Sequence, residues 1–231
     1  MKKFNLLLAF SMAFYAQTQA QISLGFKAGP NFSNFRYRSS KESGVITVQR
    51  TSFHAGFTAD VPMNDAVIFQ PAILLSGKGA RYDIDVAFDE NGVQLKEVIK
   101  GKIAPLYIEL PLNFLYGFNV GKGKIQFGFG PYVAIGVGGK YNLYSEQSIT
   151  GSGYNQYNKL EQAGSVTYGN RKENTLKRHD IGLNGLVAYQ FYHHIGVQLG
   201  YSMGLTSVNP GLTSGQQTKN NVSNLGLFYK W

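Results

Sequence analysis

The sequence predicts an all-β protein: an eight-stranded antiparallel up-and-down barrel that crosses a membrane on its strands, with short periplasmic turns and long extracellular loops. Three observations carry this prediction. In the stretch Ile195-Gly196-Val197-Gln198-Leu199-Gly200-Tyr201-Ser202-Met203-Gly204-Leu205-Thr206 every odd position is large and apolar or aromatic, and every even one is Gly, Gln, Ser or Thr. A period of 2 sustained in this way describes a strand with one greasy and one small or polar face, and about ten such residues cross a bilayer when tilted. Second, the same pattern recurs to a total of about eight strands, an even number that lets an antiparallel sheet close without an exposed edge. Third, the connections alternate short and long, which gathers the tight turns at one end and the polar insertions at the other, the asymmetry of outer-membrane barrels. A soluble barrel of similar size has an apolar interior and a wet exterior; here the polar and glycine positions form one face and an unbroken aliphatic and aromatic belt forms the other.

Residues 1–20 read as a secretory signal peptide. Lys2 and Lys3 supply the positive region, Phe4 to Tyr15 the apolar core, and Thr18-Gln19-Ala20 a small-residue cleavage site before Gln21. Removing those two lysines takes the formal net charge from +9 to +7. The absence of cysteine excludes a lipid-modified leader, a disulfide framework and a thiolate metal site. With 28 Gly, 14% aromatic and only 15% charged residues, the chain departs from a typical soluble domain. Residues 21–231 show no linker-like shift in composition and are expected to form one domain. No later segment approaches the continuous apolar run of about 18 residues that a transmembrane helix needs.

Strand one begins at Ile22, with Leu24, Phe26, Ala28, Pro30 and Phe32 on one face and Ser23, Gly25, Lys27, Gly29 and Asn31 on the other. After a polar basic stretch over 36–50, strand two alternates Phe53, Ala55, Phe57, Ala59 and Val61 with His54, Gly56, Thr58 and Asp60. It ends in Pro62-Met63-Asn64-Asp65, residues suited to a tight turn. Strand three sets Val67, Phe69, Pro71, Ile73 and Leu75 outward and Gln70, Ala72, Ser76 and Lys78 inward, with Ile68 and Leu74 as apolar exceptions on the inner face. A charged connection over 83–102, with the turn signal Asp89-Glu90-Asn91-Gly92, leads to strand four, where Leu106, Ile108, Leu110, Leu112, Phe114 and Tyr116 oppose Tyr107, Glu109, Pro111 and Asn113. Strand five, after the short turn 117–123, opposes Ile125, Phe127, Phe129, Val133, Ile135 and Val137 to Gln126, Gly128, Gly130, Ala134, Gly136 and Gly138. The longest polar insertion, 140–178, precedes strand six, 181–191, and only Tyr192-His193-His194 separates that from strand seven. A polar loop over 207–221 leads to the last strand, with Leu225, Leu227, Tyr229 and Trp231 outward and Asn224, Gly226 and Lys230 inward.

The inward charges Lys27, Asp60, Lys78, Glu109 and Lys230 are the first candidates for function. Eight strands enclose room for side chains and little more, and buried charges need partners. The expectation is therefore a structural network in which Glu109 and Asp60 pair with the lysines and fill the lumen; a proton or ion path is the alternative. Catalysis is the second candidate: a barrel hydrolase needs His, an acid and a Ser near one rim, and His179-Asp180 with Ser145, Ser148 and Ser165 supplies the residue types. Adjacent strand residues point to opposite faces, so His179 and Asp180 are not expected to share a site. His193-His194 is a weak metal signal in a tight turn, and His54 completes the histidines. No catalytic, cofactor-binding or metal residue is assigned. The 140–178 insertion carries Lys140, Lys159, Arg171, Lys172, Lys177 and Arg178 against Glu146, Glu161 and Glu173, with Tyr141, Tyr144, Tyr154, Tyr157 and Tyr168 spread through it. Amphipathic aromatics among Gly, Ser and Asn suit an adaptable contact surface, and the cations suit lipopolysaccharide phosphates. Nucleic acid is not expected as a partner.

Several segments resemble the PorT-like outer-membrane β-barrel proteins of Gram-negative bacteria: Gly25-Phe26-Lys27-Ala28-Gly29-Pro30-Asn31-Phe32-Ser33, Phe69-Gln70-Pro71-Ala72-Ile73-Leu74-Leu75-Ser76-Gly77-Lys78-Gly79-Ala80, Tyr107-Ile108-Glu109-Leu110-Pro111-Leu112, Gly128-Phe129-Gly130-Pro131-Tyr132 and Leu225-Gly226-Leu227-Phe228-Tyr229-Lys230-Trp231. The resemblance implies an eight-stranded barrel in the outer membrane, reached through the general secretory route; the best-known member of that family assists type IX secretion. Trp231 occupies the place of the terminal aromatic residue read by the barrel-assembly machinery. The functional expectation is a non-enzymatic envelope scaffold or secretion accessory acting through its outer loops. A narrow porin-like channel is the alternative, and a barrel enzyme acting on lipid or peptide the second alternative.

Overall fold

The computed structural model describes residues 22–38, 47–90, 93–151, 154–171, 173–191, 194–210 and 217–231. The expected leader, 1–20, lies outside the described residues, as do the Asn91-Gly92 turn, Lys172 and His193. Among the described residues eleven strands form one antiparallel sheet: β1 Ser23–Arg38, β2 Thr47–Val48, β3 Arg50–Pro62, β4 Val67–Gly77, β5 Ala80–Glu90, β6 Val93–Val120, β7 Gly123–Gly151, β8 Tyr154–Ser165, β9 His179–Phe191, β10 Ile195–Gly204 and β11 Gln217–Lys230. Among the described residues no helix is long and apolar enough to cross a membrane.

Eight of the strands close on themselves. Pairing runs β1–β3–β4–β6–β7–β9–β10–β11, and β11 returns to β1 from Gly25↔Lys230 to Arg38↔Gln217. Each wall strand therefore has two neighbours, so its backbone donors and acceptors are used within the ring, as a lipid-embedded sheet requires. The alternation read from the sequence holds: Lys27, His54, Asp60, Lys78, Glu109 and Lys230 are buried inside, whereas Leu199 and Leu227 stand 63% and 64% exposed outside. Ile68 and Leu74, the apolar exceptions on β4, do point inward.

Short turns join β3 to β4, β6 to β7 and β9 to β10, at the same end as the start of β1 and the finish of β11. Asn64 makes the first turn, its Oδ1 accepting from the amides of Ala66 (3.0 Å) and Val67 (2.9 Å). Gly121, at φ +61°, makes the second. Close backbone approach sets another glycine: a Cβ on Gly130 would stand 2.0 Å from the Leu112 carbonyl oxygen of β6.

At the opposite end the structure departs from the expected loops. Most of 83–102 and the first part of 140–178 are strand, because β6 and β7 run far beyond the wall and each carries a hairpin partner, β5 and β8 respectively. The result is a sheet of four long strands, β5–β6–β7–β8, projecting from one side of the mouth, with the two-residue β2 paired to the base of β5. Neither of its faces needs a continuous apolar row, so the charges that suggested loops are compatible with a backbone ladder.

Candidate functional site

The lumen is filled in layers. Near the turn end the Lys230 ammonium lies 2.5 Å from Asp60 and 3.5 Å from the side-chain oxygens of Gln126 and Gln190, while Gln70 Nε2 donates to Asp60 at 2.7 Å. Leu115, Leu186, Ala188 and Phe228 pack beside them, with Ile68. In the middle His54 Nδ1 lies 2.8 Å from Asn31 Oδ1; that oxygen can only accept, so this ring nitrogen carries the proton. The Asn31 amide nitrogen donates to Ser76 Oγ (3.1 Å) and the Gly77 carbonyl (3.0 Å), locking β1 to β4 across the interior.

Toward the mouth Lys78 is held by two carboxylates, 2.7 Å from Glu109 and 2.9 Å from Asp180. Tyr132 OH (3.2 Å) and Asn220 Nδ2 (3.0 Å) donate to the same Asp180 oxygen, and the Lys78 ammonium stands 4.1 Å from the Tyr132 ring centroid. Lys78 and Asp180 are fully buried. Two carboxylates and several neutral donors around one ammonium offset the desolvation that a lone pair would leave largely uncompensated. The expected pairing of Asp60 and Glu109 with lysines is thus present. Asp180 is an acid that the sequence had offered only as a catalytic candidate, and its inward parity beside outward His179 was the signal for its true place.

Above this cluster an apolar cap closes the bore. Phe35, Ala80, Val166, Leu176 and Val208 are buried together, with Tyr37, Tyr82, Ile103 and Tyr168 against them. The far part of the 140–178 insertion contributes Val166, Leu176 and Tyr168 to this cap: Tyr168 OH donates to the Gly138 carbonyl at 2.8 Å, and Lys177 N to the Val208 carbonyl at 2.6 Å. Among the described residues, two spaces inside the bore measure about 30 and 10 Å3, each with room for no more than a water or two.

The serine, histidine and acid candidates are not assembled. Asp180 is committed to Lys78; exposed His179 pairs with Ile135, whereas Ser145 and Ser148 pair with Leu160 and Tyr157 farther out, and Ser165 with Lys140. His194 Nδ1 lies 2.8 Å from the Lys230 carbonyl, in the β9–β10 turn. Among the described residues no group of three or more His, Cys, Asp or Glu is placed to hold a metal.

The projecting sheet is the other feature. β8 is exposed along its length except at Gly164, and among the described residues it pairs with β7 alone, which leaves its far edge unpaired there. Tyr154, Tyr157 and Leu160 stand on it in solvent. Tyr144 and Glu146 on β7 are joined through a 2.5 Å hydrogen bond from phenol to carboxylate, and Lys159 of β8 lies 5.3 Å from the Tyr144 ring centroid.

A closed β ring with an apolar exterior and a charged, filled interior defines an integral barrel of the outer-membrane type. The chain belongs to the outer membrane protein beta-barrel domain family, which it matches over residues 15–209. Curated proteins compared by sequence return no match. Among solved structures it is similar to the attachment invasion locus protein Ail of Yersinia pestis (12% identity, TM-score 0.40, covering 90% of this chain and 98% of that one). It is also similar to Neisserial surface protein A (14%, 0.35, 91% and 99%) and to OprG from Pseudomonas aeruginosa (14%, 0.34, 93% and 98%).

Proposed function

We propose that this barrel is a non-enzymatic envelope scaffold that spans the outer membrane, turns its short connections to the periplasm, and acts through protein contacts made by the projecting sheet outside the cell. One observation carries this reading: the bore is filled from the Asp60–Lys230 pair to the apolar cap, while β8 offers twelve strand residues and an unpaired edge to solvent. An unpaired edge that carries exposed aromatic side chains, here Tyr154 and Tyr157, is a template for strand addition by a partner. The segments quoted above support a place in the PorT-like branch and a secretion-accessory role within it. Outer-membrane lipid and lipopolysaccharide would surround the belt, the barrel-assembly machinery would read Trp231 during insertion, and an envelope or secretion protein would meet β8.

Deleting residues 154–165 tests the reading. The shortened protein is expected to keep its barrel, seen as heat-modifiable migration on gels, and to lose one defined cross-linked partner in the intact envelope. The purified full chain in planar bilayers is expected to carry no current above background. A steady single-channel conductance would reverse the order of scaffold and channel.

A further inference from the structure

Just beyond the apolar belt the outer wall carries a cleft of about 600 Å3, between the start of β3 and the β5–β6 hairpin. Four cations, Arg50, Arg81, Lys100 and Lys102, line it with one carboxylate, Asp83, and the ring of Tyr144. Register creates the cluster. Arg81 pairs with Lys102 and Asp83 with Lys100, so these four side chains leave one face of the ladder, with two like charges directly opposite each other. Such a pair weakens an antiparallel ladder. Among the described residues no carboxylate lies within ion-pair distance of Arg81, Lys100 or Lys102. A doubly charged anion between Arg81 and Lys102 would turn that repulsion into two charge-assisted contacts.

The height of the cleft points to the source of the anion. Lys102 lies on the same face of β6 as Leu106 and Ile108, four residues beyond the last large aliphatic side chain, roughly 13 Å along a strand and about 10 Å above the belt after tilt. Lipid headgroups occupy that zone, immediately outside the hydrocarbon.

We propose that this cleft is a lipid site that takes the phosphate groups of an outer-leaflet headgroup, Arg81 and Lys102 gripping one phosphate while Lys100 provides for a second. The proposal rests on the membrane placement given above and adds a defined ligand position to it. The like-charged Arg81–Lys102 pair is the cost borne by the unliganded protein, so the ligand stabilises the fold by linkage.

The test titrates the refolded full chain in detergent with diphosphorylated lipid A, with the same lipid stripped of both phosphates, and with myo-inositol hexakisphosphate as a soluble polyanion, reading the unfolding temperature. The diphosphorylated lipid is expected to raise that temperature and the stripped lipid to leave it unchanged. Arg81→Gln combined with Lys102→Gln is expected to weaken lipid binding by at least about tenfold. Without ligand this variant is expected to unfold no lower than the parent, because the repelling pair is gone. Lys159→Gln, an exposed cation on β8, serves as the control that keeps the parent affinity. Unchanged affinity in the double variant, or an equal response to stripped lipid, would overturn the site. Equal affinity for the hexakisphosphate would overturn the lipid assignment in favour of a soluble polyanion. A cross-linked partner that persists after deletion of residues 154–165, with the phosphate response intact, would sink the scaffold reading alone.

Discussion

The ammonium of Lys230, the last residue of β11, lies 2.5 Å from the carboxylate of Asp60 near the end of β3, across the intervening β1. Both side chains are nearly excluded from solvent. Removing one partner leaves a buried charge, so Asp60→Ala is expected to cost about 3–5 kcal/mol, whereas Asp60→Leu with Lys230→Met recovers most of that. Urea unfolding of the protein in lipid vesicles checks both values.

Lys78 serves two acids, so its loss should be the more severe. Lys78→Met places Glu109 and Asp180 together without a cation and is expected to destabilise the protein by more than Asp60→Ala does. Adding Glu109→Gln and Asp180→Asn to that background should restore part of the stability. A triple variant no more stable than Lys78→Met alone would contradict the charge network.

Gly136 governs the cap. A Cβ there would stand 2.2 Å from the Tyr168 ring, and Tyr168 ties the insertion to the wall through the Gly138 carbonyl. Gly136→Val should expel Tyr168 and expose residues 166–178 to protease while the barrel stays folded. Limited proteolysis followed by mass mapping reads the cut.

Gly130 answers to the backbone instead. Its missing Cβ leaves room for the Leu112 carbonyl, and no rotamer change relieves a clash with a neighbouring strand. Gly130→Ala is expected to lower stability by a few kcal/mol, about the range of core overpacking, with a lower urea midpoint as the readout.

The projecting sheet should titrate at high pH. The hydrogen bond to Glu146 pushes the Tyr144 phenol up to about 12, from about 10 in an unfolded chain. Only the protonated phenol donates, so this contribution is complete below pH 10 and lost as the pH rises through about 12. The tyrosinate absorbance difference between the parent and Tyr144→Phe should place that transition, and Glu146→Gln should return it toward about 10.

Strand count within the ring, the inward placement of Lys27, Lys78, Glu109 and Lys230, and the end at which the turns gather were all legible in the residues. Each follows from a period of 2 along single segments, a local property of chain geometry. β5 was read as a connection instead: Ile84, Val86 and Phe88 alternate with Asp83, Asp85 and Ala87, but the density of charge masked that signal. The exposed β8 left a weaker trace, because a strand solvated on both faces has no reason to alternate. Partner choice lay beyond any local pattern. That Asp180 and Lys78 share one oxygen contact, that Val166 and Leu176 fold back over the bore, and that Arg81 faces Lys102 depend on register and ring closure. Periodicity along one segment says which face a side chain takes; only the pairing of all eight strands sets its height and its neighbour.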